Sequence, residues 1–223
     1  MKMKEVCGYF PSLCYKAYPC KMCADQFIEA GCFRLGSVSS YTTIPDPKRR
    51  DATEGHAFTR EPGIITIGLV SPSRDDQTIW TQEAGYRECH GETTNPVFCF
   101  CTFLPQASLN HISDNYGRYI VKIGEPRKLA EEIRCYLRGK ARNCLIRGCE
   151  VVYNKGQELD HRLTVNERAD LDYTQKPFKE DGREYHKDHE FRFVVIDFES
   201  NQDPFIEVNL NKRLDYLSLV RPK

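Results

Sequence analysis

Three charged side chains stand where an apolar strand is predicted to begin. The segment DHEFR occupies 188–192. Side chains alternate across a strand, so Asp188, Glu190 and Arg192 would share one face. The apolar residues that follow predict a buried strand over 190–198. Charges at the mouth of such a strand cost free energy unless they are paired or used in chemistry. The alternative is an ordinary strand start with a Glu190–Arg192 pair at the surface.

Arg34 and Thr102 are two further candidates. Arg34 lies in the apolar segment CFRLGSV and therefore needs an anionic partner. A diphosphate would serve, since a guanidinium binds phosphate oxygens in a bidentate way. An internal ion pair is the alternative. Thr102 follows Cys101 near the end of VFCFCTF, where it could orient a ribose at a cleft edge. Its alternative is a hydroxyl on a strand surface.

The CxxC at Cys20 and Cys23 raises the question of metal. Two thiolates at that spacing can chelate zinc if two more ligands complete the site. No second CxxC or HxxxH follows at a fixed spacing, so structural zinc is an alternative that we do not favour. The chain has 11 cysteines, an odd number, and they are scattered. We expect them to be free, reduced thiols, as in a cytosol.

The totals exclude several classes of protein. Lys plus Arg equals Asp plus Glu at 32 each, so the basic excess of a non-specific nucleic-acid binder is missing. No stretch approaches the roughly 18 apolar residues of a membrane span. The charged N-terminus is not followed by the apolar core of a signal peptide. We therefore expect a soluble cytoplasmic protein. We expect one domain over 1–223, with an irregular Cys-rich segment at 1–25 and a core at 27–198.

Periodicity predicts more strands than helices. Two or three helices are expected, among them one from Ala24 to Ala30 that is stopped by Gly31 and one from Pro126 to Gly139. The polar stretch 43–62 is expected to be a long surface loop. The polar stretch 154–187 is expected to be a long insertion outside the core. This mixture predicts an α+β fold with a split, mostly antiparallel sheet. The expected strands lie at 32–41, 63–70, 97–103, 118–123, 149–153, 190–198 and 205–210.

Taken in order, several segments resemble a bacterial domain family of unassigned function that is often found beside phage-defence genes. They are GCFRLGSVSSY followed by RRDATEG, then FCFCTF, then NYGRYIVKI, and finally QKPFKEDGREYHKDHEFRF. The resemblance spans most of residues 27–196. It implies a setting in conflict between phage and bacterium.

The same order resembles the ADP-ribosyltransferase superfamily. That resemblance implies an ADP-ribosyltransferase-like split sheet, with NAD as the substrate and no metal. Arg34 and Thr102 would bind the cofactor, and Glu190 would be catalytic, with Asp188 at the first position of the late motif. Asp188 stands where Glu or Gln is usual, and Cys101 where Ser is usual. An aromatic ring can stack on nicotinamide, for which Tyr41 and Tyr116 are candidates.

The implied chemistry is the cleavage of the bond between nicotinamide and ribose, with transfer to a protein or nucleic-acid acceptor. The reacting ribose becomes oxocarbenium-like, and a carboxylate aimed at it stabilises the developing positive charge. Two alternatives remain. One is a non-enzymatic protein of phage or host that binds a nucleotide or a partner protein. The other is a nuclease-like effector that holds a divalent metal with Asp51, Glu54 and Glu190.

Overall fold

The computed structural model describes residues 6–41, 56–62, 80–83, 86–92, 97–154, 178–180, 185–197 and 204–221. Strands outnumber helices within these ranges. The strands are β1 (Val6–Gly8), β2 (Cys14–Tyr18), β3 (Cys32–Ser37), β4 (His56–Pro62), β5 (Trp80–Glu83), β6 (Tyr86–Glu92), β7 (Val97–Phe103), β8 (Tyr119–Ile123), β9 (Cys144–Glu150), β10 (Val152–Asn154), β11 (Phe178–Glu180), β12 (Glu190–Asp197), β13 (Phe205–Asn209) and β14 (Leu217–Val220). The helices are α1 (Lys21–Ala30), α2 (Val38–Tyr41), α3 (Leu109–Tyr116), α4 (Pro126–Gly139) and a 3-10 helix (Tyr185–Asp188).

Nine strands form one sheet in the order β1-β9-β12-β7-β2-β8-β14, with β3 and β13 branching from β7. Strand β12 lies inside this sheet and pairs with β7 and β9 along its length, antiparallel to both. Among the described strands of the sheet, β1 alone pairs in parallel with its neighbour. The predicted α+β class and the mostly antiparallel sheet are confirmed. Two small sheets accompany it, β4-β6-β5 and β10-β11.

The large sheet forks along one edge of β7. Strand β3 pairs with two residues in the first half of β7, whereas β2 meets it at Phe103 near the other end. In the fork, Lys16 Nζ donates a hydrogen bond of 2.8 Å to the main-chain oxygen of Cys101. The same ammonium lies 4.7 Å from the centroid of the Phe100 ring. Lys16 therefore satisfies a carbonyl group that lies between the two branches.

Helices α1 and α4 cover one face of the sheet. The buried apolar residues of both helices belong to the same core cluster as the aromatic rings of β7 and β12. Helix α4 begins at Pro126, whose missing N–H costs nothing at the first helical position. Helix α1 ends at Gly31, which takes the left-handed conformation at φ 62°. The end of α1 and both ends of α4 agree with the sequence prediction, whereas α1 begins at Lys21 and not at the predicted Ala24. Within the described residues, no helix has the length and apolar character that crossing a bilayer requires.

The prediction for the N-terminal segment was wrong. Residues 1–25 were expected to be irregular, yet β1 and β2 lie within them, and β2 pairs with β8 over five residues. The short sequence CYKAY carries little alternation, so its strand depends on long-range pairing. The apolar core also extends beyond 27–198, because buried residues of β1, β2, β13 and β14 belong to it.

Other element predictions met mixed outcomes. Strand β7 and helix α4 have the predicted bounds, and β8, β12 and β13 agree within a residue at each end. The predicted strand at 32–41 ends at Ser37, where α2 begins, and the loop predicted at 43–62 contains β4. The strand predicted at 149–153 is interrupted, since β9 ends at Glu150 and β10 follows. Helix α3 and β14 were missed. The strand predicted at 63–70 lies outside the described residues.

Candidate active site

The candidate site lies where β12 begins and β7 ends. The two strands are paired there, with Glu190 opposite Phe103 and Arg192 opposite Cys101. Glu190 and Arg192 share one face of the sheet, as the sequence predicted, and it is the face away from α1 and α4. Further along the same face, Val194 packs in a second, smaller apolar cluster. The two charged side chains therefore lie at the border of an apolar surface, in the interior of the sheet.

Glu190 and Arg192 form an ion pair in which Arg192 Nε donates to Glu190 Oε1 over 2.6 Å. The pair is buried, with 2% of the Arg192 side chain and 6% of the Glu190 side chain exposed. The alternative predicted from the sequence was a Glu190–Arg192 pair at the surface. The two partners are correct, but the pair is buried. Removing both charges from water is costly, and their contact offsets that cost. The ion pair also holds the carboxylate in one orientation.

Asp188 precedes strand β12, so strand alternation does not relate its side chain to that of Glu190. It ends the 3-10 helix, and His189 between it and the strand has a positive φ of 44°. The alternation that would have aligned Asp188 with Glu190 is therefore broken at His189. This conformation is uncommon for residues other than glycine.

Asp188 is buried and accepts hydrogen bonds from two residues of α3. His111 Nε2 lies 2.8 Å from one carboxylate oxygen, and the Tyr116 hydroxyl donates to the other. Only 4% of the Asp188 side chain is exposed, compared with 29% of the His111 side chain. Asn115 Nδ2 lies 3.3 Å from His111 Nδ1. The buried carboxylate therefore anchors an imidazole ring that reaches the surface.

This arrangement suits acid–base chemistry. A carboxylate acceptor at Nε2 favours the tautomer that carries the proton there, which leaves Nδ1 as the basic atom of a neutral imidazole. His111 was missed in the sequence because it is 77 residues from Asp188. The signal that would have found α3 is present, since Ser108 precedes a helix whose Ile112 and Tyr116 recur after four residues.

Tyr116 is the predicted cofactor-binding residue that the structure joins to Asp188. Its ring also packs against Phe103, with the centroids 4.8 Å apart. Thr102 is fully buried on the opposite face of the sheet, and its hydroxyl donates to the main-chain oxygen of Phe191 over 2.8 Å. The structure therefore does not bring the Thr102 hydroxyl together with Glu190. The side chain of Tyr41 lies outside the described residues.

Thr102 has a partner in Cys14 of β2. Burial raises the pKa of the Cys14 thiol to about 12, although the hydrogen bond with Thr102 and the charge of Lys16 act in the opposite direction. The thiol therefore stays protonated at neutral pH and behaves as a small apolar group of the core. These contacts give Thr102 a structural part in joining β2, β7 and β12.

Arg34 lies on the other branch of the sheet. Its Nη2 donates to Glu207 Oε1 of β13 over 2.8 Å, and its guanidinium lies 4.4 Å from the Phe205 ring centroid. Both charged side chains are well exposed, at 65% for Arg34 and 64% for Glu207. The anionic partner expected for Arg34 is thus Glu207, a carboxylate of the chain itself. This is the internal ion pair that the sequence offered as the alternative to a bound diphosphate.

Candidate metal ligands occur at two places in the sequence. The sulfur atoms of Cys20 and Cys23 are 3.1 Å apart. In the part of the chain that the structure describes, no three His, Cys, Asp or Glu side chains are grouped to hold a metal ion. Asp51 and Glu54, the carboxylates of the nuclease hypothesis, lie outside the described residues. Glu190, their proposed partner, is engaged by Arg192.

Comparison of the chain with protein-family models, with curated proteins and with solved structures found no match.

Proposed function

We propose that this protein is an NAD-dependent ADP-ribosyltransferase, in which Glu190 is the carboxylate that faces the reacting ribose. The observation that carries the proposal is a buried carboxylate at the start of an interior strand, held by Arg192 and preceded by Asp188. The order of segments that resembles the superfamily supports the same assignment. The forked, largely antiparallel sheet is consistent with it.

The chemistry follows from where the charges lie. When the nicotinamide–ribose bond breaks, its electron pair leaves with nicotinamide and positive charge develops on the ribose. A fixed carboxylate stabilises that charge most strongly where water is excluded. Glu190 meets both conditions, because it is buried and its orientation is set by Arg192. Its contribution is therefore greater in the transition state than in the bound substrate.

His111 is assigned the acceptor step. A heteroatom of the acceptor forms a bond to the ribose carbon while its proton passes to His111 Nδ1, where the acceptor takes the place of the exposed Asn115 amide. Asp188 holds the imidazole in the tautomer that can take this proton. The acceptor is a protein side chain or a nucleic acid. The setting that we propose is the cytoplasm, in conflict between phage and bacterium, as the resemblance implies.

Arg34 has no part in this proposed site, because its partner is Glu207. The nuclease alternative keeps only Glu190 of its three carboxylates among the described residues, since Asp51 and Glu54 lie outside them. The binding-protein alternative is an outcome of the test below. It would be favoured by a protein that binds NAD and leaves the nicotinamide–ribose bond intact.

The test compares nicotinamide release from NAD by the unmodified protein and by Glu190→Gln. We expect kcat to fall by about 10²–10³-fold, with a much smaller change in the Kd for NAD. Glu207→Gln is the matched control, since it makes the same chemical change in an exposed ion pair, and it should retain full activity. Circular dichroism would show that each variant is folded. Full activity in Glu190→Gln would contradict the assignment of this residue.

His111→Gln separates the two steps. It should slow transfer to an acceptor by about 10²-fold, the range typical of losing a general base. NAD binding should be retained, because the proposed role concerns only the acceptor's proton. An unchanged transfer rate would remove His111 from the mechanism and leave the role of Glu190 standing.

A further inference from the structure

A second reactive group lies far along the chain from the carboxylates, at the start of α1. Cys20 is the N-cap residue of this helix and Cys23 is in its first turn. Strand β2 leads directly into the motif through Pro19. Residues three apart at a helix start face the same side. The structure accordingly brings the two sulfur atoms to 3.1 Å, and both side chains are partly exposed.

The surroundings make the two thiols unequal. The hydrogen bond between the two thiols, followed by the main-chain N–H groups of Cys23 and Met22, lowers the pKa of Cys20. The same contact with Cys20, together with burial, raises the pKa of Cys23. Helix N-termini favour negative charge, so a thiolate at the N-cap is stabilised. Cys20 is thus the more reactive thiol, and the sulfur atom of Cys23 is close enough to form a disulfide with it.

We propose that Cys20 and Cys23 form a redox-active dithiol that is oxidised to an intramolecular disulfide by a low-molecular-weight disulfide such as oxidised glutathione. The Cys20 thiolate attacks one sulfur of the oxidant, which forms a mixed disulfide and releases one thiolate. Cys23 then loses its proton and attacks Cys20 Sγ, which releases the second thiol. Two protein thiols and one disulfide become one protein disulfide and two small thiols, so atoms and electrons balance.

The neighbouring groups fit an oxidisable pair better than a metal site. A tetrahedral zinc site needs two ligands beyond these thiolates, and the described residues supply no such group. The hydroxyl of Tyr18, in the strand before the motif, is buried and has no hydrogen-bond partner among the described residues. Burial is the main cause that raises the pKa of this hydroxyl, and the charge of Cys23 raises it further. A polar group therefore lies within electrostatic range of the second thiol.

The experiment exposes the reduced protein to a series of oxidised and reduced glutathione ratios and then blocks the remaining thiols. Trypsin cleaves after Lys16, Lys21 and Arg34, so a Cys20–Cys23 disulfide joins the peptides 17–21 and 22–34. Fragmentation spectra distinguish Cys23 from Cys32 in the second peptide. We expect the joined peptides to appear with the loss of two blockable thiols, at ratios where the exposed Cys135 remains free.

Two variants and one control assign the order of attack. Cys23→Ser should trap one glutathionyl group on Cys20, and Cys20→Ser should form neither the joined peptides nor a mixed disulfide at Cys23. Cys135→Ser should leave the joined peptides unchanged. The proposal is overturned if the joined peptides are absent at every ratio. It is also overturned if elemental analysis finds zinc that must be removed before Cys20 reacts. None of these outcomes depends on NAD.

Discussion

Two Arg–Glu pairs in this chain differ in burial, and this difference decides what each one contributes. Arg192 and Glu190 are buried within one strand, whereas Arg34 and Glu207 bridge two strands at the surface. Coulomb attraction is much weaker between exposed groups, because water screens it. The buried pair is therefore the one whose disruption leaves a charge in the interior.

Arg192→Met is predicted to destabilise the protein by about 3–5 kcal/mol, because it removes the guanidinium that compensates the buried Glu190 carboxylate. Urea unfolding followed by circular dichroism measures this change. The double variant Glu190→Gln with Arg192→Met should lose less stability than Arg192→Met alone, since no charge is then left behind. A loss of less than about 1 kcal/mol in the single variant would show that the pair does not compensate a buried charge.

Arg34→Gln is predicted to change the free energy of unfolding by less than about 1 kcal/mol. Its affinity for NAD should equal that of the unmodified protein, because Arg34 is paired with Glu207 and lies outside the proposed site. The same unfolding experiment and a calorimetric titration with NAD test both statements. A marked loss of NAD affinity, with the fold intact, would return Arg34 to the role of diphosphate ligand.

At the scale of elements, the turn between α3 and β8 depends on one glycine. Gly117 has φ 139°, and a Cβ built there would lie 2.4 Å from the main-chain oxygen of Tyr18. This turn connects the helix that carries His111 and Tyr116 to a strand of the large sheet. A side chain at Gly117 would therefore disturb both the backbone conformation and the packing of β2 against the turn.

Gly117→Ala is predicted to lower the free energy of unfolding by about 2–4 kcal/mol, from backbone strain and overlap together. Gly139→Ala is the matched control, since a Cβ there would meet no atom within 4 Å. It should leave stability unchanged or raise it by up to about 1 kcal/mol. Denaturant unfolding of the two variants side by side measures the difference. Equal stabilities would contradict the strain assigned to Gly117.

Elements with a strong local pattern could be predicted from the sequence, and those that depend on distant partners could not. Strand β7 is an unbroken apolar run, and α4 combines an N-terminal proline with a buried stripe, so both carry their signal locally. Strand β2 carries none, and it forms by pairing with the distant strand β8. The 3-10 helix before β12 was also not predicted, and it places Asp188 outside the strand.

At the scale of the whole molecule, the sheet brings together groups that are distant in the sequence. The Glu190–Arg192 pair was predictable because both residues lie in one strand. The contact of His111 with Asp188 was not, since it depends on how α3 packs beside the start of β12. The proposed activity requires this assembly, with the carboxylate of Glu190 fixed by the strand and the imidazole of His111 fixed from the neighbouring helix.

The most direct test of this account supplies NAD labelled in the adenylate phosphate to the purified protein together with a bacterial lysate. Released nicotinamide and label in the macromolecular fraction are then quantified. The account predicts that both appear in equal amounts, and that both fall by about 10²–10³-fold in Glu190→Gln. Protease and nuclease digestion of the labelled fraction would identify the class of acceptor. If the unmodified protein releases no nicotinamide and transfers no label, the account of this protein as an ADP-ribosyltransferase is contradicted.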